Sequence, residues 1–415
     1  MGADTLTRRN QDPEPRGLTA RTITRIDEIS PAAWGACAGA DNPFVSHSFL
    51  DALEQSGSCT AETGWLPRHL ILEDADGRLI GAMPMYLKGH SYGEYVFDHG
   101  WADAYEHAGG RYYPKLQASI PFTPATGPRL LVPPGPEAPA RRDLMLRAAI
   151  RVADRLEVSS LHITFPTEDE WKLMGAAGLL QRTGEQFHWE NRGYADFDEF
   201  LATLNARKRK TIRKERARAM AGGIEIETLT GAALRPEHWD TFYEFYIDTG
   251  SRKWGSPYLT REFFHLIGRT MADRIALIMC RRDGRYIAGA LNLIGTETLF
   301  GRNWGCVETH DCLHFEACYY RAIDFAIVSG LKRVEAGAQG PHKIQRGYLP
   351  QCTYSAHWIR DAGFRQAVED YLVHERREID WHLEAVARDY SPYRKPDGRG
   401  ACRAKSLGHR DCGPD

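Results

Sequence analysis

The chain has 415 residues, which is more than one hydrophobic core usually organises and suits two domains of roughly 150–200 residues each. Its content of 42% apolar and 26% charged residues is typical of a globular protein. The formal net charge of −2 excludes binding of nucleic acid through overall charge, so any anion site must be a local cluster.

The cysteines and the two ends of the chain exclude further classes. The nine cysteines form no CxxC pair, so neither a metal site nor a disulfide framework is expected. The N-terminus lacks the apolar stretch of a secretory signal, and no segment approaches the ~18–20 apolar residues of a membrane span. We therefore predict a cytoplasmic protein. Residues 1–19 and 391–415 are rich in proline, glycine and charge, and we expect them to be disordered.

Four sequence blocks occur twice in the same order, which indicates an internal duplication. The clearest pair is RHLILEDADGRLIGAMPMYL (68–87) and RIALIMCRRDGRYIAGALNLI (274–294). Each copy has two apolar runs around an Asp-Gly turn, a strong β-hairpin signal because glycine tolerates positive φ. The other pairs are 42–53 with 256–267, 147–165 with 320–338, and 185–190 with 354–359.

The segment that follows the first hairpin carries several polar side chains. Its alternation predicts a strand on which Tyr92, Glu94 and Asp98 share a face. Two acids beside a histidine suit a proton acceptor, so Asp98 or Glu94 is a candidate base. The alternative is a solvated strand with one aromatic core face. Lys88, His90 and Tyr92 are candidate residues for binding the donor or the substrate.

Residues 100–136 have no counterpart in the second copy. This insertion is dense in tyrosine, proline, glycine and charge. A long irregular insertion in a compact unit usually serves function. We therefore expect a loop that covers the substrate, with Tyr113 and Lys115 among the binding residues.

The repeated blocks predict the architecture of the chain. Each unit has a hairpin, a further strand, an amphipathic helix and short strands, which together indicate an α/β sandwich with a mixed sheet. The first domain is predicted at 20–192 and the second at 193–390.

A helical pattern at 199–221 leads into the second unit and ends at Gly222. Between positions 207 and 218 it holds eight basic residues against one acid, Glu215. Such a run is either a solvated face or a site for phosphates or an RNA backbone.

Six segments make the chain resemble the FemAB-like predicted N-acyltransferases of bacteria, which are related to the Fem peptidyltransferases of the GNAT acyltransferase superfamily. The segments are HSYGEYVFDHGWADAYEHAGGRYYPKLQ, QFHWENRGY, RKRKTIRKE, SRKWGSPY, LHFEACYYRAIDFAI and VEAGAQGPHKIQRGYLP. The resemblance spans about 25–385 and implies tandem GNAT-like (acyl-CoA N-acyltransferase) domains with mixed central sheets. It also implies transfer of an acyl or aminoacyl group to an amine, in metabolism related to peptidoglycan.

The resemblance leaves two donors open, acyl-CoA and aminoacyl-tRNA, each a co-substrate rather than a permanent cofactor. Typical acetyl-CoA enzymes have a Gln/Arg-x-x-Gly-x-Gly/Ala loop that holds a pyrophosphate at a helix N-terminus. The corresponding stretches here, CVETHDCLHFEACYY and PPGPEAPARRDLM, lack that pattern. The basic run at 207–218 is then a candidate contact for tRNA.

The segment that opens the long helix of the second unit contains His314 and Glu316. A carboxylate in the first turn of a helix complements the helix dipole and often caps the helix. Glu316 is therefore either a cap or a catalytic residue.

A glycine-flanked segment follows the last core strand of the second unit. Ligands of α/β proteins commonly bind beyond the carboxyl end of a strand. Lys343 and Arg346 are three residues apart and are predicted to clamp one anion, with His342 beside them. The resemblance to Fem-type proteins gives these positions the same role, and the alternative is a surface loop with incidental charges.

Other polar residues are expected near the same cleft. Asn303 and Trp304 lie on the preceding predicted strand, and Arg252, Lys253 and Trp254 lie in the SRKWGSPY segment. The chain has no nucleophile elbow, which favours direct attack by the amine over a covalent intermediate.

Two alternatives to an N-acyltransferase stay open. The chain is either an RNA-binding or regulatory module that uses 207–218 and has idle lobes, or a degenerate acyltransferase kept for protein contacts. Charge reversal of Arg209, Lys210 and Arg213 separates the RNA-binding module from the enzyme. A degenerate acyltransferase would show neither donor binding nor sensitivity to Lys343→Ala.

Overall fold

The computed structural model describes residues 17–253, 257–337 and 340–394. The strands are β1 (Thr19–Ile23), β2 (Trp65–Pro67), β3 (His69–Glu73), β4 (Leu79–Met83), β5 (Met85–Lys88), β6 (Lys115–Ala118), β7 (Ser160–Thr164), β8 (Leu180–Glu190), β9 (Glu225–Leu229), β10 (Ile275–Arg282), β11 (Arg285–Ile294), β12 (Thr298–Cys306), β13 (Arg333–Glu335) and β14 (Leu349–Ile359).

The helices are α1 (Pro31–Ala38), α2 (His47–Gln55), α3 (His99–His107), α4 (Ala138–Arg155), α5 (Glu168–Ala176), α6 (Phe197–Thr203), α7 (Ala206–Ala219), α8 (Pro236–Lys253), α9 (Arg261–Thr270), α10 (Leu313–Phe315), α11 (Arg321–Val328) and α12 (Ala362–Asp389). A π-helical turn, Glu316–Tyr320, joins α10 to α11, and a 3-10 turn, Pro341–Arg346, precedes β14.

The strands form one large mixed sheet and one small sheet. The large sheet has the order β2-β5-β6-β7-β14-β8-β13-β12-β11-β10-β9, and β1, β3 and β4 form the small sheet. Both predicted Asp-Gly hairpins are present as antiparallel pairs, β3–β4 and β10–β11. The two copies diverge in placement, because β10 and β11 belong to the large sheet whereas β3 and β4 do not.

The two halves of the chain are interleaved. The last strand, β14, lies between β7 and β8, so a strand of the second copy completes the sheet of the first. The predicted domain boundary at 192/193 stays a prediction, and the strands on either side of it share one sheet.

Equivalent helices of the two copies also pack against each other. Phe49 of α2 meets Phe263 of α9 at 5.6 Å between ring centroids, in an edge-to-face arrangement. Phe44 meets Phe300 of β12 in the same way at 5.2 Å. Such aromatic pairs contribute about 0.5–1.5 kcal/mol each to stability beyond the effect of the area they bury. All four phenylalanines belong to one apolar core that contains residues of both halves.

Three local predictions differ from the structure. The predicted loop at 100–136 contains α3 and β6, and its residues from 115 to 125 are buried, so it forms part of the core rather than a cover. The predicted helix 199–221 is broken into α6 and α7, because Asn205 caps α7 by accepting the Lys208 N–H.

The first four residues of the predicted disordered tail are ordered in the structure. Residues 391–394 pack on the start of α7, where Tyr393 pairs with Leu204 and its hydroxyl donates to the Gly347 carbonyl at 2.8 Å. Residues 1–16 and 395–415 lie outside the described residues. In the described ranges, no helix combines the length and apolar composition needed to cross a membrane.

Candidate functional site

A cavity of about 720 Å³ lies where elements of the two halves meet. Its walls come from the segment Tyr95–Phe97, from β8 and β14, from α12, and from Gly340 and Ile344. The lining mixes apolar side chains with polar ones such as Gln186, Thr353 and Ser355, which suits a ligand that has both kinds of group.

The C-terminal helix closes one side of this cavity and is held there by ion pairs. Arg182 of β8 donates to both carboxylate oxygens of Glu375 at 2.8 and 2.6 Å. The geometry is bidentate and partly buried, which makes it one of the stronger kinds of surface ion pair. This ion pair holds α12 against β8.

The predicted strand after the first hairpin is not formed. The sheet hydrogen bonds end at Lys88, and the residues from Gly89 to Asp98 are irregular. Tyr95 has a φ of 60° and follows a glycine-containing turn, which breaks the alternation assumed from the sequence. As a result, Tyr92 is 62% exposed whereas Glu94 and Asp98 are buried.

Glu94 and Asp98 belong to a buried cluster of charges behind the cavity wall. Lys115 of β6 donates to Glu94 at 2.8 Å and also to Asp98. Lys88 lies 3.8 Å from Glu94 and 3.5 Å from the centre of the Trp65 ring. With two cations and two carboxylates, the cluster is neutral overall, which lowers the cost of burying it.

The cluster perturbs the proton affinity of its members. Burial raises the pKa of Glu94 to about 7 in spite of the Lys115 ammonium. Burial lowers the pKa of Lys88 to about 7, partly offset by Glu94. Burial alone would raise the pKa of Asp98, but Lys115, His162 and Ser91 together outweigh burial, so the pKa of Asp98 is lowered.

The remaining predicted residues of the first half make internal hydrogen bonds. His90 contacts the Thr63 carbonyl at 3.0 Å, and Tyr113 contacts the Ser91 hydroxyl at 2.8 Å. The structure thus brings Lys88, Tyr113 and Lys115 to the acids, but none of them lines the cavity.

Lys343 and Arg346 lie on the 3-10 turn beside the cavity, where each makes hydrogen bonds within the protein. Lys343 donates to the Gly337 carbonyl at 2.9 Å, and no carboxylate of the described chain pairs with it. Arg346 donates to Glu215 of α7 at 2.8 Å and stacks on the Phe315 ring at 3.5 Å. Lys343 is 3% exposed, and burial lowers its pKa to about 8.

Aromatic side chains surround His314 near the end of β12. Trp304 and Tyr319 approach the His314 ring at 5.3 and 5.4 Å, and the Tyr319 hydroxyl lies 2.9 Å from His342 Nε2. A cavity of about 330 Å³ borders Trp304 and His314. Asn303 faces a separate void of about 10 Å³ in the core.

Glu316 is an ion-pair partner rather than a helix cap. Its carboxylate accepts from Arg216 at 3.0 and 3.1 Å and from Arg321 at 2.9 Å, and it is 1% exposed. Burial raises its pKa, and the Arg216 guanidinium opposes this. With both oxygens engaged by arginine, Glu316 fastens α7 to the π-helical turn.

Sequence reasoning gave no role to Glu335, a further buried acid near Gln186 of the cavity wall. Glu335 ends β13 next to His188 of β8, whose Nε2 is 4.0 Å from Glu335 Oε2 and 3.3 Å from Gln186 Oε1. One oxygen of Glu335 has no hydrogen-bond partner in the described chain, and burial raises its pKa to about 8. Burial lowers the pKa of His188 to about 3. The position of Glu335 at a strand end followed by glycines was the available signal.

The basic helix α7 has one engaged face and one open face. Arg216 and Lys208 are bound to neighbouring elements. Exposed cations occur at Arg207, Lys210, Arg213, Lys214 and Arg218. Of these, only Arg213 has an ion-pair partner in the described ranges, the exposed Asp198.

Three predicted cleft residues cannot be placed. Trp254 lies outside the described residues, and the side chains of Arg252 and Lys253 are outside the described part as well.

Comparison with solved structures bears on the fold. FemX superposes with a TM-score of 0.52 at 13% identity and covers 85% of this chain and 100% of its own. The C-terminal domain of a putative lysylphosphatidylglycerol synthetase from Agrobacterium fabrum gives 0.50 at 10% identity, over 82% of this chain and 95% of that one. A tandem GNAT protein from the clavulanic acid biosynthesis pathway gives 0.41 at 12% identity, over 82% and 98%. The predicted α/β fold class with mixed sheets is confirmed, and FemX shares this fold.

Sequence comparison identifies the family. No curated protein matches the chain significantly. The model of the FemAB-like family, described as peptidoglycan biosynthesis/recognition, matches residues 25–395, nearly all of the described chain. The protein therefore belongs to the FemAB-like family.

Proposed function

We propose that this protein transfers an acyl or aminoacyl group from an activated donor to an amine, in cytoplasmic metabolism related to peptidoglycan. The acceptor is the amine of a small molecule or peptide. The observation that carries the proposal is the cavity of about 720 Å³ between Tyr95–Phe97 and Gly340–Ile344, because it brings together the polar segments of both halves. Membership of the FemAB-like family supports the reaction class.

Lys343 is the residue best suited to bind the anionic part of the donor. It is 3% exposed and belongs to the turn whose Gly340 and Ile344 line the cavity. A buried ammonium that has no carboxylate partner among the described residues carries a desolvation cost that a bound phosphate would offset. Arg346 contributes less directly, because Glu215 already engages it at 2.8 Å.

The structure favours aminoacyl-tRNA over acyl-CoA as the donor. The five exposed cations of α7 extend over about 16 Å of helix, which matches a polyanion better than a single pyrophosphate. Helix α7 touches the turn of Lys343, since Lys208 contacts Gln345 at 3.1 Å and Glu215 contacts Arg346 at 2.8 Å. An RNA strand lying along α7 would reach this turn.

The chemistry requires a neutral amine, an activated carbonyl and a proton acceptor. Ser355 lines the cavity and its hydroxyl lies 3.0 Å from His357 Nε2. Because the sequence has no nucleophile elbow, direct attack by the amine is favoured, with Ser355 as a proton acceptor rather than a nucleophile. Glu94 and Asp98 do not line the cavity, so neither contacts the reacting amine directly.

The test is a transfer assay with charged tRNAs and acyl-CoAs, guided by mass spectrometry of any ligand that co-purifies with the protein. Thr353→Phe fills the cavity and should reduce transfer by roughly 100-fold or more. Thr241→Phe, at a position of α8 away from the cavity, should leave transfer within about twofold. If Thr353→Phe transferred the acyl group at the rate of the unmodified protein, the cavity would not be the site of transfer.

The second candidate, an RNA-binding module with idle lobes, is favoured by the open cationic face of α7 alone. Reversing two charges with Lys210→Glu and Lys214→Glu should weaken tRNA binding by roughly tenfold or more. The matched control is Arg151→Glu with Arg155→Glu, the same spacing and charge change on the exposed face of α4. If RNA binds but no donor is ever consumed, this second function replaces the first.

A further inference from the structure

A continuous chain of hydrogen bonds links the cavity to the buried charge cluster. Ser355, which lines the cavity, lies 3.0 Å from His357 Nε2. The two imidazoles of His357 and His162 meet through their Nδ1 atoms at 2.7 Å. His162 Nε2 lies 3.3 Å from the Tyr112 hydroxyl, which donates to Asp98 at 2.6 Å.

The sheet topology produces this chain. In the register of β7 with β14, His162 and His357 are direct partners, so their side chains point to the same face. The insertion of β14 between β7 and β8 places a histidine of the second half beside one of the first. Every member from Ser355 to Asp98 is at most 3% exposed, so bulk water does not bypass the chain.

The donors and acceptors are consistent along the whole chain. Burial lowers the pKa of His162 to about 3 and that of His357 well below its ordinary value, so each ring carries one proton. Two Nδ1 atoms at hydrogen-bond distance require that one ring donates and the other accepts. With the proton of His357 on Nδ1 and that of His162 on Nε2, every group can donate in the direction of Asp98. The Nε2–H of His162 is shared between the hydroxyls of Tyr112 at 3.3 Å and Ser160 at 2.7 Å.

We propose that Ser355, His357, His162 and Tyr112 form a proton relay that carries the proton released by the acceptor amine to the carboxylates of Asp98 and Glu94. The proposal rests on the proposed transfer reaction for its purpose. It uses the two acids that the sequence indicated, at the far end of a relay rather than in contact with substrate.

The transfer balances at each step. As the amine forms its new C–N bond, the donor's leaving group departs with its bonding electron pair and the amine gives a proton to Ser355 Oγ. The hydroxyl proton of Ser355 passes to His357 Nε2, the Nδ1 proton of His357 passes to His162, and the Nε2 proton of His162 passes to Tyr112. Tyr112 then protonates Asp98.

Lys115 completes the path within the cluster. It donates to Glu94 at 2.8 Å while also contacting Asp98, so it can release a proton to Glu94 and regain one from Asp98. The raised pKa of Glu94 makes it the carboxylate that holds a proton near neutral pH. The relay members end with their original number of protons, and the two imidazoles have exchanged tautomers.

A purely structural role for the histidines makes a different prediction. Hydrogen bonds that only fix the register of β14 would affect stability and leave proton movement unchanged. Ser160 offers a matched control, because its hydroxyl contacts His162 Nε2 at 2.7 Å but leads to no carboxylate.

The experiment follows protonation of Glu94 by time-resolved infrared spectroscopy after a rapid jump from about pH 8.5 to about pH 6. The band is assigned by its loss in Glu94→Gln, and no substrate is needed. His357→Gln, His162→Gln and Ser355→Ala should each slow protonation roughly tenfold or more, with the final amplitude retained. Ser160→Ala should stay within about twofold of the unmodified protein.

Unchanged protonation rates in the folded relay variants would overturn the proposal. Because three variants are tested, the result does not depend on any single variant folding correctly. Acyl transfer at the normal rate by His357→Gln would also overturn it while leaving the proposed function intact. Slowed protonation in a protein that transfers no acyl group would support the relay and reject the proposed function.

Discussion

The raised pKa of Glu335, in the middle of the large sheet, can be tested through the pH dependence of the protein's stability. Burial raises the pKa of its carboxyl to about 8, from an ordinary value of 4.5, and the nearby Arg333 and Arg302 offset this only in part. The folded protein therefore holds this proton more tightly than the unfolded chain does. The resulting stabilisation is complete below about pH 4.5 and is lost as the pH rises to about 8.

The size of the effect follows from those two values. At ~1.4 kcal/mol per pH unit, the interval from 4.5 to about 8 sets an upper bound of about 5 kcal/mol. Glu335→Gln keeps an acceptor for the Thr126 N–H and cannot ionise. We expect the free energy of unfolding of this variant, relative to the unmodified protein, to increase by about 2–4 kcal/mol between pH 5 and pH 8.5.

The assay is urea denaturation at three pH values across that range. Glu297→Gln is the control, because the side chain of Glu297 is 52% exposed and is paired with Lys332 at the surface. It should shift the free energy of unfolding by less than about 0.5 kcal/mol at every pH. Parallel pH profiles for Glu335→Gln and the unmodified protein would refute the account of a buried, protonated acid.

Three further predictions concern the buried charges. Lys115→Met leaves Glu94 and Asp98 without their shared cation and should cost about 3–5 kcal/mol in urea denaturation, whereas Lys172→Met, 62% exposed, should cost less than about 0.5 kcal/mol. A cost below about 1 kcal/mol for Lys115→Met would contradict the cluster. Arg216→Ala removes one of the two arginine partners of Glu316 and should cost about 2–3 kcal/mol in thermal denaturation, whereas Arg213→Ala, 61% exposed, should be nearly neutral in the same assay. An equal loss of stability in Arg216→Ala and Arg213→Ala would contradict the stabilising role of the Arg216–Glu316 ion pair. Lys343→Met should leave the melting temperature at pH 7 equal or higher, because burial lowers the pKa of Lys343 to about 8 and the folded state binds its proton more weakly than the unfolded chain. The same variant should weaken donor binding by roughly tenfold, and unchanged binding in calorimetry would contradict its role.

Features set by short-range chemistry were predictable from the sequence. The Asp76-Gly77 and Asp283-Gly284 turns form hairpins because the glycine takes a φ of 75° or 77°. The mixed α/β fold follows from the repeated order of hairpin, helix and strand.

Long-range pairings were not predictable in this way. The cluster at Glu94 and Asp98 was recognised as polar, but its burial depends on Lys115, which is brought in by the pairing of β5 with β6. Glu335 meets His188 only through the pairing of β13 with β8, and 142 residues lie between the end of β8 and the start of β13. Local propensity does not predict that β14 inserts between β7 and β8 of the first half.

The residues of the second half show the same limit. Lys343 and Arg346 have the spacing of an anion clamp, but Glu215, far earlier in the chain, engages Arg346. Glu316 has the position of a helix cap, and two arginines bind it instead.

Hydrogen–deuterium exchange by mass spectrometry tests most directly whether the ligand sits between the two halves. Addition of a donor that supports transfer, or of the ligand that co-purifies, should slow exchange in 89–98 and 182–188 of the first half and in 340–347 of the second. Protection confined to one half, or to α7 alone, would contradict a shared site.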